Sequence, residues 1–280
     1  MCGICGIVYA DREHPVDQRT LENMRDSMMH RGPDDAGLFT AAGVGLGSRR
    51  LAILDLSPRG HMPMSTRDGR YRIVYNGEIY NYRDIRDRLE AGGYRFTSHT
   101  DTEVLLALYA ESGSAMLHQL NGMFAFAIWD AETSTLFAAR DRLGVKPFYY
   151  HVDPSGLFFA SEEKALFQAG VRPEFDTSTW EELLCFRYVA GERTPFVGVQ
   201  RLLPGHQLTY RRGRLRTAPW WSLSDRAREL RSEPHRDPVS WFRHTFDDAV
   251  SIRRISDVPI GVLLSGGLDS SSVAASLASA

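Results

Sequence analysis

The stretch from Met123 to Trp129 is the part of this chain that most restricts its fold. Successive side chains of a strand point to opposite faces. Here both alternating sets are apolar, with Phe124, Phe126 and Ile128 on one face and Met123, Ala125, Ala127 and Trp129 on the other. A strand of this kind has to be covered on both sides. The segments around it can supply the cover. Further strands are expected at Gly3–Tyr9, 44–48, 50–54, 71–76, 136–140, 147–151, 157–160 and 207–210, with a break near Arg49. Helices are expected at 17–30, 81–91, 102–112, 161–168 and 176–187, the first capped by Asp17 and carrying Leu21, Met24 and Met28 on one face. Strand pairs alternating with helix pairs predict stacked sheets with helices outside, an α+β layered architecture.

After a charged hairpin turn at Arg211-Arg212-Gly213-Arg214 the character changes. Residues 222–238 are polar and hold Pro234 and Pro238, the mark of a linker with or without a helix. A helix at 241–256, a short apolar strand at 260–264 and a helix from Ser271 onward read as a second unit. The division expected is 2–215, a linker at 216–237, and 238–280.

Composition narrows the function. The net charge is −2 and the arginines form no stripe, so neither nucleic acid nor an anionic membrane is favoured as a partner. Three cysteines make no disulfide framework and no usual metal spacing, so no metal ligands can be assigned. Cys5 and Cys185 sit in apolar contexts and are expected to be buried. No apolar run is long enough for a membrane helix, and a reducing cytoplasm fits.

Two stretches carry chemistry. The chain opens Met1-Cys2-Gly3-Ile4-Cys5-Gly6. If Met1 is removed, one residue holds both a thiol and an α-amine, with reference pKa values of about 8.5 and about 7.7–8.0. The amine can take the thiol proton and return it to a leaving amine, the logic of a nucleophile paired with a terminal amine base. The stretch fits an ordinary thiol near a start codon equally well. The second is Ser265-Gly266-Gly267-Leu268-Asp269-Ser270, between an apolar run and a helix. Two glycines there let backbone N–H groups converge on an anion at a helix N-terminus. A plain strand–helix connection also fits, and the Gly-Lys-Ser/Thr of a Walker loop is absent. Two further groups have bland readings of their own: Asn76-Gly77 as a hairpin tip and Asp101 as a helix cap.

Taken together and in order, these pieces resemble the glutamine-dependent asparagine synthetases. The matching motifs are Met1-Cys2-Gly3-Ile4, His30-Arg31-Gly32-Pro33-Asp34, Arg50-Leu51-Ala52-Ile53, Asn76-Gly77-Glu78-Ile79-Tyr80-Asn81, Asp101-Thr102-Glu103, Gly122-Met123-Phe124-Ala125-Phe126, Arg140-Asp141-Arg142-Leu143-Gly144-Val145-Lys146-Pro147, Ser161-Glu162-Glu163-Lys164-Ala165 and the 265–270 loop. The resemblance implies a class II glutamine amidotransferase domain, a four-layer αββα sandwich of the N-terminal-nucleophile hydrolases. The first strand and helices of a doubly wound ATP-pyrophosphatase domain would follow. By the same resemblance Cys2 attacks the side-chain amide of glutamine, and Asn76 with the Gly77 N–H forms the oxyanion hole. Arg50 pairs with the substrate α-carboxylate, Glu78 and Asp101 hold its α-ammonium, and Leu51 and Ile53 complete the glutamine site. Leu264, Ser265, Gly266, Gly267, Asp269 and Ser270 would bind ATP with Mg²⁺, and the ammonia would convert aspartate to asparagine. Relatives with other acceptors, a cell-surface polymer or a secondary metabolite, and a non-catalytic module of the same fold are the alternatives. A homodimer is compatible with the resemblance. Ala280 falls early in the second domain, so the chain is expected to be truncated or split and to act alone at most as a glutaminase. Met62 departs from the family pattern, in which Gln is frequent.

Overall fold

The computed structural model describes residues 1–231 and 237–279. Its strands are β1 (Gly3–Tyr9), β2 (Asp35–Ala41), β3 (Val44–Arg50), β4 (Met64–Ser65), β5 (Tyr71–Ile79), β6 (Gly122–Asp130), β7 (Thr135–Arg140), β8 (Tyr149–Asp153), β9 (Gly156–Ala160), β10 (Val199–Arg201), β11 (His206–Arg211) and β12 (Arg214–Pro219). The helices are α1 (Gln18–Asp26), α2 (Tyr82–Ala91), α3 (Asp101–Ser112), α4 (Glu163–Gln168), α5 (Trp180–Phe186), α6 (Leu223–Arg231), α7 (Pro238–Ser251) and α8 (Leu268–Ser279).

The strands form two six-stranded sheets, ordered β10-β8-β9-β1-β3-β2 and β12-β11-β7-β6-β5-β4, with antiparallel neighbours throughout. The two faces of β6 show how the layers stack. Phe124, Phe126 and Ile128 pack under α2 and α3 with Ile85, Leu89, Val104 and Leu105. Ala125, Ala127 and Trp129 meet Ile4, Val44, Leu46 and Phe159 of the other sheet. Small alanines on the inter-sheet face fit a sheet-to-sheet spacing of about 10 Å. On the far side, α1 and α4 cover the first sheet through Leu21, Met24, Met28, Ala165 and Leu166 against Cys5, Ile7 and Phe158. Three apolar layers between four structural layers give the expected αββα sandwich. None of the described helices is long and apolar enough to cross a membrane.

Several local expectations are corrected. β3 runs unbroken through Arg49 and Arg50 because β1 and β2 pair with it on either side, and residues 51–54 are irregular. β2 was hidden in the small and polar run Asp35-Ala36-Gly37-Leu38-Phe39-Thr40-Ala41. β5 continues past Asn76-Gly77, which pair with Ala125 and Phe124, so the pair is no hairpin tip. The hydroxyl of Thr100, not the Asp101 carboxylate, caps α3 by accepting from the Glu103 N–H. α1 ends at Asp26, four residues short, and a 3₁₀ turn at Met29–Arg31 follows. Cys5 is buried as expected, but Cys185 is exposed on the short helix α5.

The C-terminal part also differs. β12 carries the second sheet past residue 215 to Pro219, and Trp220 is buried in the helix-side core, so the first unit extends beyond its expected boundary. Part of the expected linker, 232–236, lies outside the described residues. The apolar run 260–264 forms no ladder with any described strand, and Leu263 and Leu264 are exposed. A strand acquires its hydrogen bonds only from a neighbour, and none of the described residues offers one. The last expected helix forms as α8 but starts at Leu268, three residues before the expected Ser271.

Candidate active site

Cys2 sits immediately before β1 and is fixed from several directions. Its carbonyl oxygen accepts from Arg31 Nε at 2.9 Å. One residue into the strand, the Ile4 N–H donates to Ser161 Oγ at 3.0 Å and the Ser161 N–H returns a bond to the Ile4 carbonyl at 2.8 Å. Arg31 is itself held by Glu162 at 2.9 Å, and His30 and Lys164 meet the same carboxylate. Burial pushes Glu162 up, but hydrogen bonds from Arg31, Lys164 and His30 together bring it down to about 2. The His30-Arg31 and Ser161-Glu162 motifs, 131 residues apart, thus act as one bracket for the N-terminus.

All eight residues expected at the glutamine site line one pocket: Cys2, Arg50, Leu51, Ile53, Asn76, Gly77, Glu78 and Asp101. The Cys2 thiol faces the Leu51 carbonyl oxygen at 3.8 Å. Burial raises its pKa, while the positive charges of the Met1 amine and Arg50 act downward. Asn76 is 1% exposed, and its Nδ2 has no hydrogen-bond partner. A buried donor left unpaired costs about 1–3 kcal/mol, so its place beside a thiol calls for an explanation. Gly77 cannot be replaced: a Cβ there would lie 2.4 Å from the Met123 carbonyl oxygen across the β5–β6 pair.

Arg50 ends β3, and its guanidinium is caged by the loop that follows. Nη2 donates to the carbonyls of Leu54 and Asp55 at 2.8 and 2.6 Å, and Nη1 to that of Ser57 at 3.3 Å. These use three of its five N–H donors. Gly60 closes over the same group, because a Cβ at that position would lie 2.0 Å from Nη2. Asp34 holds the start of the loop by accepting from the Ala52 N–H at 2.8 Å.

The acidic side is built from α3 and β5. The Asp101 carboxylate accepts from the Tyr75 hydroxyl at 2.8 Å and the Ile79 N–H at 3.0 Å. Burial raises its pKa to about 6 against the pull of those two bonds. Burial also raises Glu78, with Lys146 and Arg253 opposing.

Sequence reading assigned no role to several pocket residues. Tyr75, Thr100, Thr102, Leu54 and Lys146 also line the pocket, as does Met62, the residue that departs from the family pattern. Lys146 had a signal, since it and Lys164 are the only lysines in an arginine-rich chain. Its placement follows from Asp141, whose buried carboxylate accepts from the N–H groups of Phe124, Leu143, Val145 and Lys146. That turn delivers the lysine to the pocket, where burial lowers its pKa and Glu78 and Cys2 oppose.

The residues of the second expected site lie elsewhere. Ser265 to Gly267 form an exposed loop and Leu268 to Ser270 the first turn of α8, with Gly266 at φ 80° and the Ser265 and Ser270 hydroxyls 3.0 Å apart. A left-handed glycine before a helix start leaves room for an anion close to the backbone.

The geometry gives the fold and one pocket, and sequence comparison gives the family. Residues 1–221 match the family described as glutamine amidotransferase domain, and residues 241–280 match that described as asparagine synthase. The chain belongs to the glutamine amidotransferase family. Among its relatives is asparagine synthetase [glutamine-hydrolyzing] 3 of Bacillus subtilis, 38% identical over 98% of this chain and 45% of the relative. A Penicillium rubens protein named amidase chyE is 40% identical over 96% of this chain and 39% of its own length. The chain therefore spans less than half of these relatives. Among solved structures, a glutamine phosphoribosylpyrophosphate amidotransferase from B. subtilis superposes with a TM-score of 0.60 at 20% identity, over 79% of this chain and 49% of that one, and shares the fold.

Proposed function

We propose that this chain hydrolyses glutamine to glutamate and ammonia with Cys2 as nucleophile. In the whole protein, the ammonia would serve ATP-dependent amidation of aspartate to asparagine. The observation that carries the first step is the unpaired, buried Nδ2 of Asn76 in the pocket that holds the Cys2 thiol. A donor kept free in the resting protein is what an oxyanion hole requires. With Met1 removed, the Cys2 amine takes the thiol proton and Sγ attacks the amide carbon of glutamine. The carbonyl oxygen gathers negative charge against Asn76 Nδ2 and the Gly77 N–H. When the tetrahedral adduct collapses, the C–N bond breaks, the amine gives its proton to the departing nitrogen, and ammonia leaves. Water then opens the thioester to glutamate and restores the thiol. Arg50 holds the substrate α-carboxylate with the donors its cage leaves over, and Asp101 and Glu78 hold the α-ammonium.

In the second half-reaction, the 265–270 loop would hold the phosphates of ATP with Mg²⁺, and ATP supplies the activation of the acceptor carboxylate.

The test is release of glutamate and ammonia in equal amounts from glutamine by the purified chain, with the mass of the N-terminus measured on the same sample. Equal release from protein lacking Met1 supports the reading. Absence of release from folded protein lacking Met1 overturns it.

Asp101 predicts a pH dependence. Burial favours its neutral form, so the charge that attracts an ammonium is present above about pH 6 and lost below it. kcat/KM for glutamine is expected to fall as the pH drops through about 6, and Asp101→Asn to remove that inflection while lowering kcat/KM at neutral pH. A profile unchanged by Asp101→Asn would assign the inflection to another group.

A further inference from the structure

The loop that cages Arg50 is clamped from the far end of the sequence. Asp257, 202 residues after Asp55, accepts the Asp55 N–H on its Oδ2 at 2.7 Å. Its own N–H donates to the Ile53 carbonyl at 2.9 Å. The two bonds straddle Leu54, whose carbonyl oxygen, with that of Asp55, receives Arg50 Nη2. Asp55 stands at φ 51°, in the left-handed region that a non-glycine residue occupies only when its surroundings hold it there. The holders are visible. Arg50 bonds its carbonyl, the His99 N–H donates to its carboxylate at 2.8 Å, and Asp257 takes its N–H. The segment before Asp257 is docked as well: Val250 is buried, Arg253 lies 4.9 Å over the Tyr80 ring, and Ile255 packs on the helix-side core.

We propose that Asp257 is a positioning residue for the glutamine site: by clamping Ile53 and Asp55 it holds the carbonyl cage that orients Arg50 toward the substrate α-carboxylate. The inference rests on the glutaminase reading and extends it. Asp257 lies outside the stretch matching the amidotransferase family, residues 1–221, and inside the stretch matching the asparagine synthase family, 241–280. Glutamine affinity is thus set partly from the second unit, through one carboxylate and one main-chain N–H of a residue that touches no reacting atom.

The test compares Asp257→Ala and Asp257→Asn with the parent chain. Asn keeps an oxygen that accepts the Asp55 N–H, and Ala does not. Asp257→Ala is expected to raise KM for glutamine about tenfold with kcat within about twofold, while Asp257→Asn stays near the parent. With the α-amide of glutamine, which gives Arg50 no carboxylate, the Ala variant is expected to lose most of its penalty. Equal KM values, a loss in kcat instead, or an equal penalty on the α-amide would each overturn the proposal. Hydrogen exchange of the Asp55 amide separates this failure from failure of the glutaminase reading. If the parent releases no ammonia, faster exchange in Asp257→Ala but not in Asp257→Asn still supports the clamp, and unchanged exchange overturns it.

Discussion

Replacing Cys2 with Ala is expected to abolish ammonia release from glutamine, a loss of about 10⁴-fold or more, as for other enzymes that lose their nucleophile. The reasoning is geometric. Sγ is the one nucleophilic sulfur in a pocket whose other polar groups are an arginine, two carboxylates, a lysine, threonines, a tyrosine and an unpaired amide. None of these is placed as a thiol and amine on one residue would be. The backbone at Cys2 is held by Arg31 through its carbonyl, so the variant keeps the fold, and the loss in stability should stay near about 1 kcal/mol. Ammonia release and thermal melting on the same preparations check both halves. A folded Cys2→Ala chain that still released ammonia at the parental rate would exclude Cys2 as the nucleophile.

Asn76→Ala is expected to lower kcat by about 10²–10³, equivalent to about 2.7–4 kcal/mol of transition-state stabilisation, with a much smaller change in KM. This split follows from what Nδ2 does at rest, where it bonds nothing. A group that meets charge only as the oxyanion forms contributes little to ground-state binding. For the same reason, removing Nδ2 breaks no hydrogen bond of the resting protein and relieves the cost of an unpaired buried donor, so the folded state is expected to be no less stable than the parent, with a gain of up to about 1–3 kcal/mol. A structural asparagine would behave in the opposite way, with stability falling and kcat largely preserved in the folded fraction. Steady-state kinetics beside denaturant unfolding distinguish the two.

Much of this site could be read in the sequence because its members are chemically restricted. A thiol near the start, a glycine that must lie flat between strands at Gly77 and an arginine at the end of a strand each have few substitutes, so their motifs are recognisable. The two-sided apolar pattern of β6 pointed to a layered fold for a similar reason, since a strand that is apolar on both faces has to lie between two covering layers. β2 escaped notice because Asp35-Ala36-Gly37 and Thr40-Ala41 carry little hydrophobic signal, and the strand exists through its pairing with β3. Asn76-Gly77 reads locally as a turn, yet β6 keeps it extended. Propensity describes a peptide alone, and a neighbouring strand overrides it by taking its hydrogen bonds.

What the sequence determined by itself is the set of parts: an amphipathic α1, a doubly apolar β6, a thiol near one end and a glycine-rich loop near the other. Each is a property of adjacent residues, carried by periodicity, by steric demands or by side-chain chemistry. Tertiary structure alone decided which parts share a site. It brought Arg31 to Glu162, Asp141 to the turn that places Lys146, Gly60 over the Arg50 guanidinium, and Asp257 back across 202 residues to Asp55. These are long-range hydrogen bonds and close approaches between segments that no local pattern links. Their partners are chosen by where the two sheets bring chain ends together, and that is settled only when the three apolar layers close.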